Sequence, residues 1–310
     1  MKASKASSPA RNVADRQRSD KPRSPDRFSL AGPSIRLDRR IHAIRGDVAD
    51  VALADRVFAP HYARPLDHGC LAVTTPIRLA PSHDSVAVSE LLLGECFAVV
   101  DASGAWAWGF GTHDNYVGYV PLDSLGQTCG ASHIVATPAA LVFTAPDIKS
   151  PVIERLPMGV RVTVTDEDGA FLAVAGGGFV HRRHVAAADA RAADFVAVAE
   201  QLGGVPYRWG GRSGDGVDCS GLVQLALGFA GVAAPRDSDQ QMALGEAVAE
   251  GAPLQRGDLV FLPGHVGIMA NATDLLHANA HWMRVVTEPL AEVLARQGEG
   301  RGITAIRRLP

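Results

Sequence analysis

Cys219, His265 and His277 are residue types that together can carry out nucleophilic acyl transfer. Cys219 lies in the run Tyr207–Leu222, YRWGGRSGDGVDCSGL, behind a glycine-rich loop and at the expected start of a helix. His265 opens the run HVGIMA, and His277 sits within DLLHANA. A cysteine nucleophile needs a base and a group that orients the base, and these two histidines are candidates for those parts. A helix start favours a thiolate, because unpaired amides and the dipole lower the thiol pKa. The same amides are suited to holding an oxyanion. The alternative for such a cysteine is a buried structural thiol. The histidines downstream favour the catalytic reading.

The elements that position these residues follow from periodicity. Ser220–Phe229 places Leu222, Leu225, Ala226 and Phe229 on one helical face, with Asp218 as N-cap and Gly214 and Gly216 as breakers upstream. Asp194–Leu202 is a second amphipathic helix, ended by Gly203-Gly204. PRDSDQQMALGEAV is a loop leading into a further helix. GDLVFLPG, HVGIMA, DLLHANA and WMRVVTE are β-type runs, Glu288–Arg296 a closing helix and ITAIRRLP a last strand. Helices followed by antiparallel strands give an α+β pattern. A short turn at Asn271–Thr273 sets position 270 opposite 274 and 267 opposite 277, so His265 and His277 project from one face, a diagonal step apart. His265 then takes the thiol proton and His277 orients it. His277 and His281 have i, i+4 spacing, but the run is strand-like and HExxH is absent, so no metal is expected. No GKS or GKT ending supports phosphate binding. His281 is expected at a strand end, and His181 and His184 on the surface.

The preceding 188 residues have a different texture. Residues 1–35, rich in Ser, Pro, Arg and Lys, read as a disordered basic tail, and 36–68 as a lead-in wrapping the next module. Short β-type runs then fill 69–130 and again 131–188, with "GYVPLDSL" at 118–125 and "GFVHRRHV" at 178–185 at equivalent ends. Closely spaced short strands with a period near 60 residues indicate two tandem small barrels. The net charge of −3 combines +7 over residues 1–40 with about −10 elsewhere. The tail has no aromatic ladder, so no nucleic-acid partner is expected. No apolar run long enough to span a membrane is present. Cys70, Cys96, Cys129 and Cys219 show no CxxC spacing, so free thiols are expected. With no signal peptide visible, the expected compartment is the cytoplasm.

Residues 189–310 resemble the NlpC/P60 cysteine peptidases of bacterial cell-wall metabolism through YRWGG, DCSGLV, PRDS, GDLVF, HVGI and LLHA. The resemblance implies a papain-like domain behind two all-β, bacterial SH3-like barrels. It implies Cys219 as nucleophile, His265 as base and His277 as orienting residue, with no cofactor. It implies hydrolysis of the γ-D-glutamyl–diamino acid bond in peptidoglycan stem peptides. Tyr207 matches the family's site tyrosine, Asp218 and Ser220 flank the nucleophile, and Asp237 and Ser238 match a loop lining the non-primed side. For Asp237 the alternative is a helix N-cap. The two-barrel arrangement resembles a narrower group of cytoplasmic enzymes that recycle murein-derived peptides. Glu95 and Tyr116 stand where that group holds the free amine of an N-terminal L-alanine. The other readings are an exported hydrolase of intact wall and a non-hydrolytic wall-binding protein with a vestigial peptidase domain.

Overall fold

The computed structural model describes residues 36–127, 130–298 and 302–309. The basic tail expected over 1–35 lies outside the described residues. The lead-in is mostly irregular: Val48–Asp50 pairs in parallel with His61–Ala63, and a single 3-10 turn lies at Val51–Leu53. Ala43 and Val48 pack on Val100 and Trp108, fastening the lead-in to the first β module.

That module is a seven-stranded antiparallel sheet over residues 66–126. Its core gathers alternate residues of successive strands, including Ile77, Leu91, Phe97, Val99, Ala107 and Val120. The second module holds a five-stranded and a three-stranded sheet over 133–187, around Val135, Val142, Leu156, Val162 and Val180. The equivalent ends have the same form. Val117–Pro121 leads through a 3-10 turn at Leu122–Ser124 to Leu125, and Phe179–His181 leads through Arg182–His184 to Val185.

The C-terminal part contains α1 (Phe195–Glu200), α2 (Cys219–Phe229), α3 (Ser238–Gln241) and α4 (Leu290–Gln297). Asp194 caps α1, accepting from Val196 and Ala197 amides, and Asp218 caps α2 through the Gly221 amide at 2.8 Å. A six-stranded antiparallel sheet runs in the order 246–247, 305–308, 259–262, 265–269, 274–279, 284–289. Strand alternation gives it two buried faces. Leu259, Phe261, Val266, Ile268, Leu276 and Ala278 pack with α2. Val260, Leu262, Met269 and Leu275 pack with Leu290 and Val293 of α4. The closing helix starts at Leu290, two residues later than expected, because Pro289 has no amide to donate and takes the N-cap position. Glu288 therefore belongs to the Arg284–Pro289 strand. The helix expected after PRDS is a single turn.

Candidate active site

Cys219 is the first residue of α2 and is buried. Its sulfur lies beside the backbone amides of Ser220 and Val266, which favour its thiolate form. The Val266 contact seats the thiol against the start of the His265–Met269 strand. Tyr207 approaches from the loop before α2, half-buried, through its backbone bond to Met283 and its bridge to Val217. Burial, with the charges of Cys219 and Asp218 nearby, pushes its hydroxyl up to about 12.

The two histidines meet as the turn geometry requires. Ile268 pairs with Leu276, Met269 with Leu275, and the Ala270 amide donates to Asp274 across the turn. His265 and His277 share the face of Met269 and Leu275, with His265 Nε2 and His277 Nδ1 2.7 Å apart. A cavity of about 340 Å³ opens beside them, lined also by Asn279, His281, Arg296 and Gln297.

The electrostatics correct one expectation. The helix start does not yield a low thiol pKa. Burial, reinforced by the Asp218 carboxylate, pushes Cys219 up to about 11 against the pull of the two amides and Arg236. Burial and the neighbouring His277 bring His265 down to about 4, against the pull of Asp218. At neutral pH the two groups are therefore a thiol and a neutral imidazole.

Three of the residues expected to bind substrate have other occupations. Asp218 lies in a two-pronged ion pair with Arg236, at 2.9 and 2.6 Å, and also accepts from the Gly210 amide. Arg236 is 1% exposed, and its Nη1 also donates to Ser220 Oγ at 3.0 Å. Asp218 and Ser220 therefore fix the nucleophile loop from inside. The loop needs this clamp because it runs close to the helix: a Cβ at Gly221 would lie 2.1 Å from the Gly211 carbonyl oxygen. Glu95 is 8% exposed and accepts from Arg212 Nη1 at 2.9 and 2.7 Å and from the Leu92 amide at 2.9 Å. It is a buried joint between the first module and the nucleophile loop.

Asp237 is placed differently. It stands at the N-cap of α3, yet its side chain makes no capping bond. Its Oδ2 accepts from the Tyr116 hydroxyl at 3.0 Å and from Arg40 Nη1 at 2.8 Å. The first module and the lead-in thus both reach Asp237, and Ser238 opens α3 beside it. The Cys96 side chain also departs from expectation: it is disulfide-bonded, so the free thiols that supported a cytoplasmic compartment are not general.

Sequence reasoning missed Arg40, Arg212 and the residues behind His277. His277 Nε2 lies 2.9 Å from Glu288 Oε1, which also receives Arg296 Nη2, while Trp282 Nε1 donates to Oε2 at 3.1 Å. The available signal was strand parity. His277 pairs with Val286, so Glu288, two residues on, points to the same face.

A cysteine heading a buried helix, set against a sheet that carries a histidine pair, defines a papain-like cysteine peptidase. The sequence pattern of the NlpC/P60 family matches residues 204–297, and that of the bacterial dipeptidyl-peptidase Sh3 domain matches 77–125. The chain is 30% identical over 250 residues to the gamma-D-glutamyl-L-lysine dipeptidyl-peptidase of Bacillus cereus, covering 68% of this chain and 74% of that protein. It is 28% identical over 262 residues to the Bacillus subtilis protein of the same name, covering 73% and 88%. An NlpC/P60 family protein of Bacillus cereus of known structure superposes with a TM-score of 0.65 at 21% identity, over 79% of this chain and 100% of that one. The chain belongs to the NlpC/P60 family of cysteine peptidases and is a hydrolase.

Proposed function

We propose that the protein cleaves the γ-D-glutamyl–diamino acid bond of free peptidoglycan stem peptides that begin with L-alanine. The observation that carries this reading is the Tyr116–Asp237 contact, which joins the first β module to the loop after α2. Asp237 Oδ1 has no hydrogen-bond partner among the described residues and is available to a peptide ammonium. An ammonium there gains a charge-assisted bond, whereas an acylated amine leaves the carboxylate unmatched. Asp237 thus takes the carboxylate part expected of Glu95, beside Tyr116.

In the reaction, Cys219 Sγ attacks the γ-glutamyl carbonyl carbon as its proton passes to His265. The Val266 and Ser220 amides beside the sulfur, with the Tyr207 hydroxyl nearby, keep it in line. His265 then gives the proton to the departing amine, leaving a thioester. Water, deprotonated by His265, attacks the thioester and releases the γ-carboxylate and the thiol.

The test is a paired digestion of L-Ala-γ-D-Glu-meso-diaminopimelate and its N-acetylated form, read by mass, with Cys219→Ala as control. Cleavage of the free amine alone, abolished in the control, is expected. Equal cleavage of both removes the amine gate, and cleavage of neither removes the proposed substrate.

Free-amine selection fits the recycling of released peptides in the cytoplasm. A second reading, export to the wall, has one observation in its favour: the Cys96 disulfide, a bond that oxidising compartments sustain. Among the described residues no helix is long and apolar enough to cross a membrane. Digestion of intact sacculi by the same protein separates the two readings.

A further inference from the structure

We propose that Glu288 is a positioning residue for the reaction, setting through His277 which nitrogen of His265 is free to take the cysteine proton. The inference rests on the reading of Cys219 and His265 as nucleophile and base. It follows from counting hydrogens along a buried chain. An ionised carboxylate only accepts hydrogen bonds, so the 2.9 Å contact with Glu288 Oε1 requires the hydrogen on His277 Nε2. A neutral imidazole has one N–H, so His277 Nδ1 is an acceptor. The 2.7 Å contact to His265 then requires the hydrogen on His265 Nε2. His265 Nδ1 is left with its lone pair free, as a base must have it.

The opposite arrangement would set a bare nitrogen of His277 against a carboxylate oxygen. Asn279 Nδ2 also lies 2.8 Å from His277 Nε2, but it can donate instead to Glu288 Oε1 at 3.3 Å, while its own Oδ1 accepts from the Trp282 amide. Burial raises the Glu288 pKa, but the bonds from Arg296, His277 and Trp282 outweigh it and hold the group ionised, below its usual range. Glu288 is 9% exposed, so its charge acts on His277 with little screening by water. When His265 becomes cationic, the chain of His277 and Glu288 stabilises that charge.

Other charges bear on the same rings. Asp218 faces His265 from the loop before α2, Arg236 lies near Cys219, and Arg296 faces His277 from α4. None of them makes a hydrogen bond to either imidazole, so the tautomer is set by Glu288.

The experiment follows alkylation of Cys219 by iodoacetamide against pH, read by mass on the peptide carrying Cys219. It needs no substrate, so a wrong substrate class leaves it interpretable. Glu288→Gln is expected to slow alkylation at pH 7 by ~10- to 100-fold and to move the midpoint of the pH profile upward. Glu288→Asp is expected to recover part of the rate. In a His277→Ala background, Glu288→Gln is expected to change nothing further. Should Glu288→Gln fold poorly because Arg296 is left unpaired, the double variant with Arg296→Met replaces it. A profile superposing on that of the unsubstituted protein, or an undiminished Glu288→Gln effect without His277, overturns the proposal.

Discussion

The two β modules meet the catalytic part in different ways. The first is joined to it by polar and charged side chains. Glu95 pairs with Arg212, Glu90 with Arg208, Ser89 accepts from Arg236, Asp114 accepts from Gln224, and Tyr116 donates to Asp237. The second meets it through apolar side chains and backbone, beside the exposed Arg155–Asp215 ion pair. Met158 enters the core around α2, Ile134 and Ala136 pack against that core, and the Gly214 amide reaches the Met158 carbonyl at 3.3 Å. Apolar packing tolerates sliding, whereas buried hydrogen bonds to charged groups fix orientation. The first module is thus oriented as part of the site, and the second acts as a buttress under it.

The largest test of this contrast is Glu95→Ala. It leaves Arg212, buried with it, without its counter-charge, which typically costs about 3–5 kcal/mol. Equilibrium urea unfolding should show a loss of that size. A loss below about 1 kcal/mol would mean that Arg212 finds water, and that the joint is not the oriented contact described above. The effect is one of stability: apparent kcat should fall only in proportion to the folded fraction, and the KM for peptide should stay unchanged.

A smaller and more local effect is expected from Tyr116→Phe. It removes one hydroxyl bond to Asp237, worth about 1–2 kcal/mol where the acceptor is charged. KM for the free-amine tripeptide should rise by ~5- to 20-fold with kcat nearly constant, because the contact lies away from the reacting carbonyl. An unchanged KM would place Tyr116 with the buttressing contacts and leave Asp237 to act alone.

The same contrast explains what was legible in the chain. Cys219, His265 and His277 stand in short runs whose local pattern sets helix start, strand phase and register, so sequence sufficed to bring the histidines together. The α+β order and the equivalence of the β-module ends at 118–125 and 178–185 were legible for the same reason. Partnerships between distant segments were not. Nothing near Glu95 announces Arg212, 117 residues away, and nothing near Tyr116 announces Asp237, 121 residues away. A carboxylate in a barrel turn reads alike whether it meets a ligand or an arginine. Glu288 was obscured by a boundary: read as the first residue of a helix it points nowhere in particular. Moved into the strand by Pro289, it falls on the face of His277.

The smallest expected effect is the one that makes the contrast quantitative. Arg155 of the second module pairs with Asp215 of the nucleophile loop, and both side chains are more than one-third solvent-exposed, at 48% and 35%. An exposed pair between mobile side chains is screened and is worth about 0–1 kcal/mol. Arg155→Ala should therefore shift unfolding by less than about 0.5 kcal/mol and leave KM and kcat unchanged, in low and high salt alike. It removes a guanidinium–carboxylate pair between a β module and the same loop that Arg212 anchors, so it differs from the Glu95 pair chiefly in burial. If Arg155→Ala lowers activity while stability holds, the second module also orients the nucleophile loop, and the division between an orienting and a buttressing module fails.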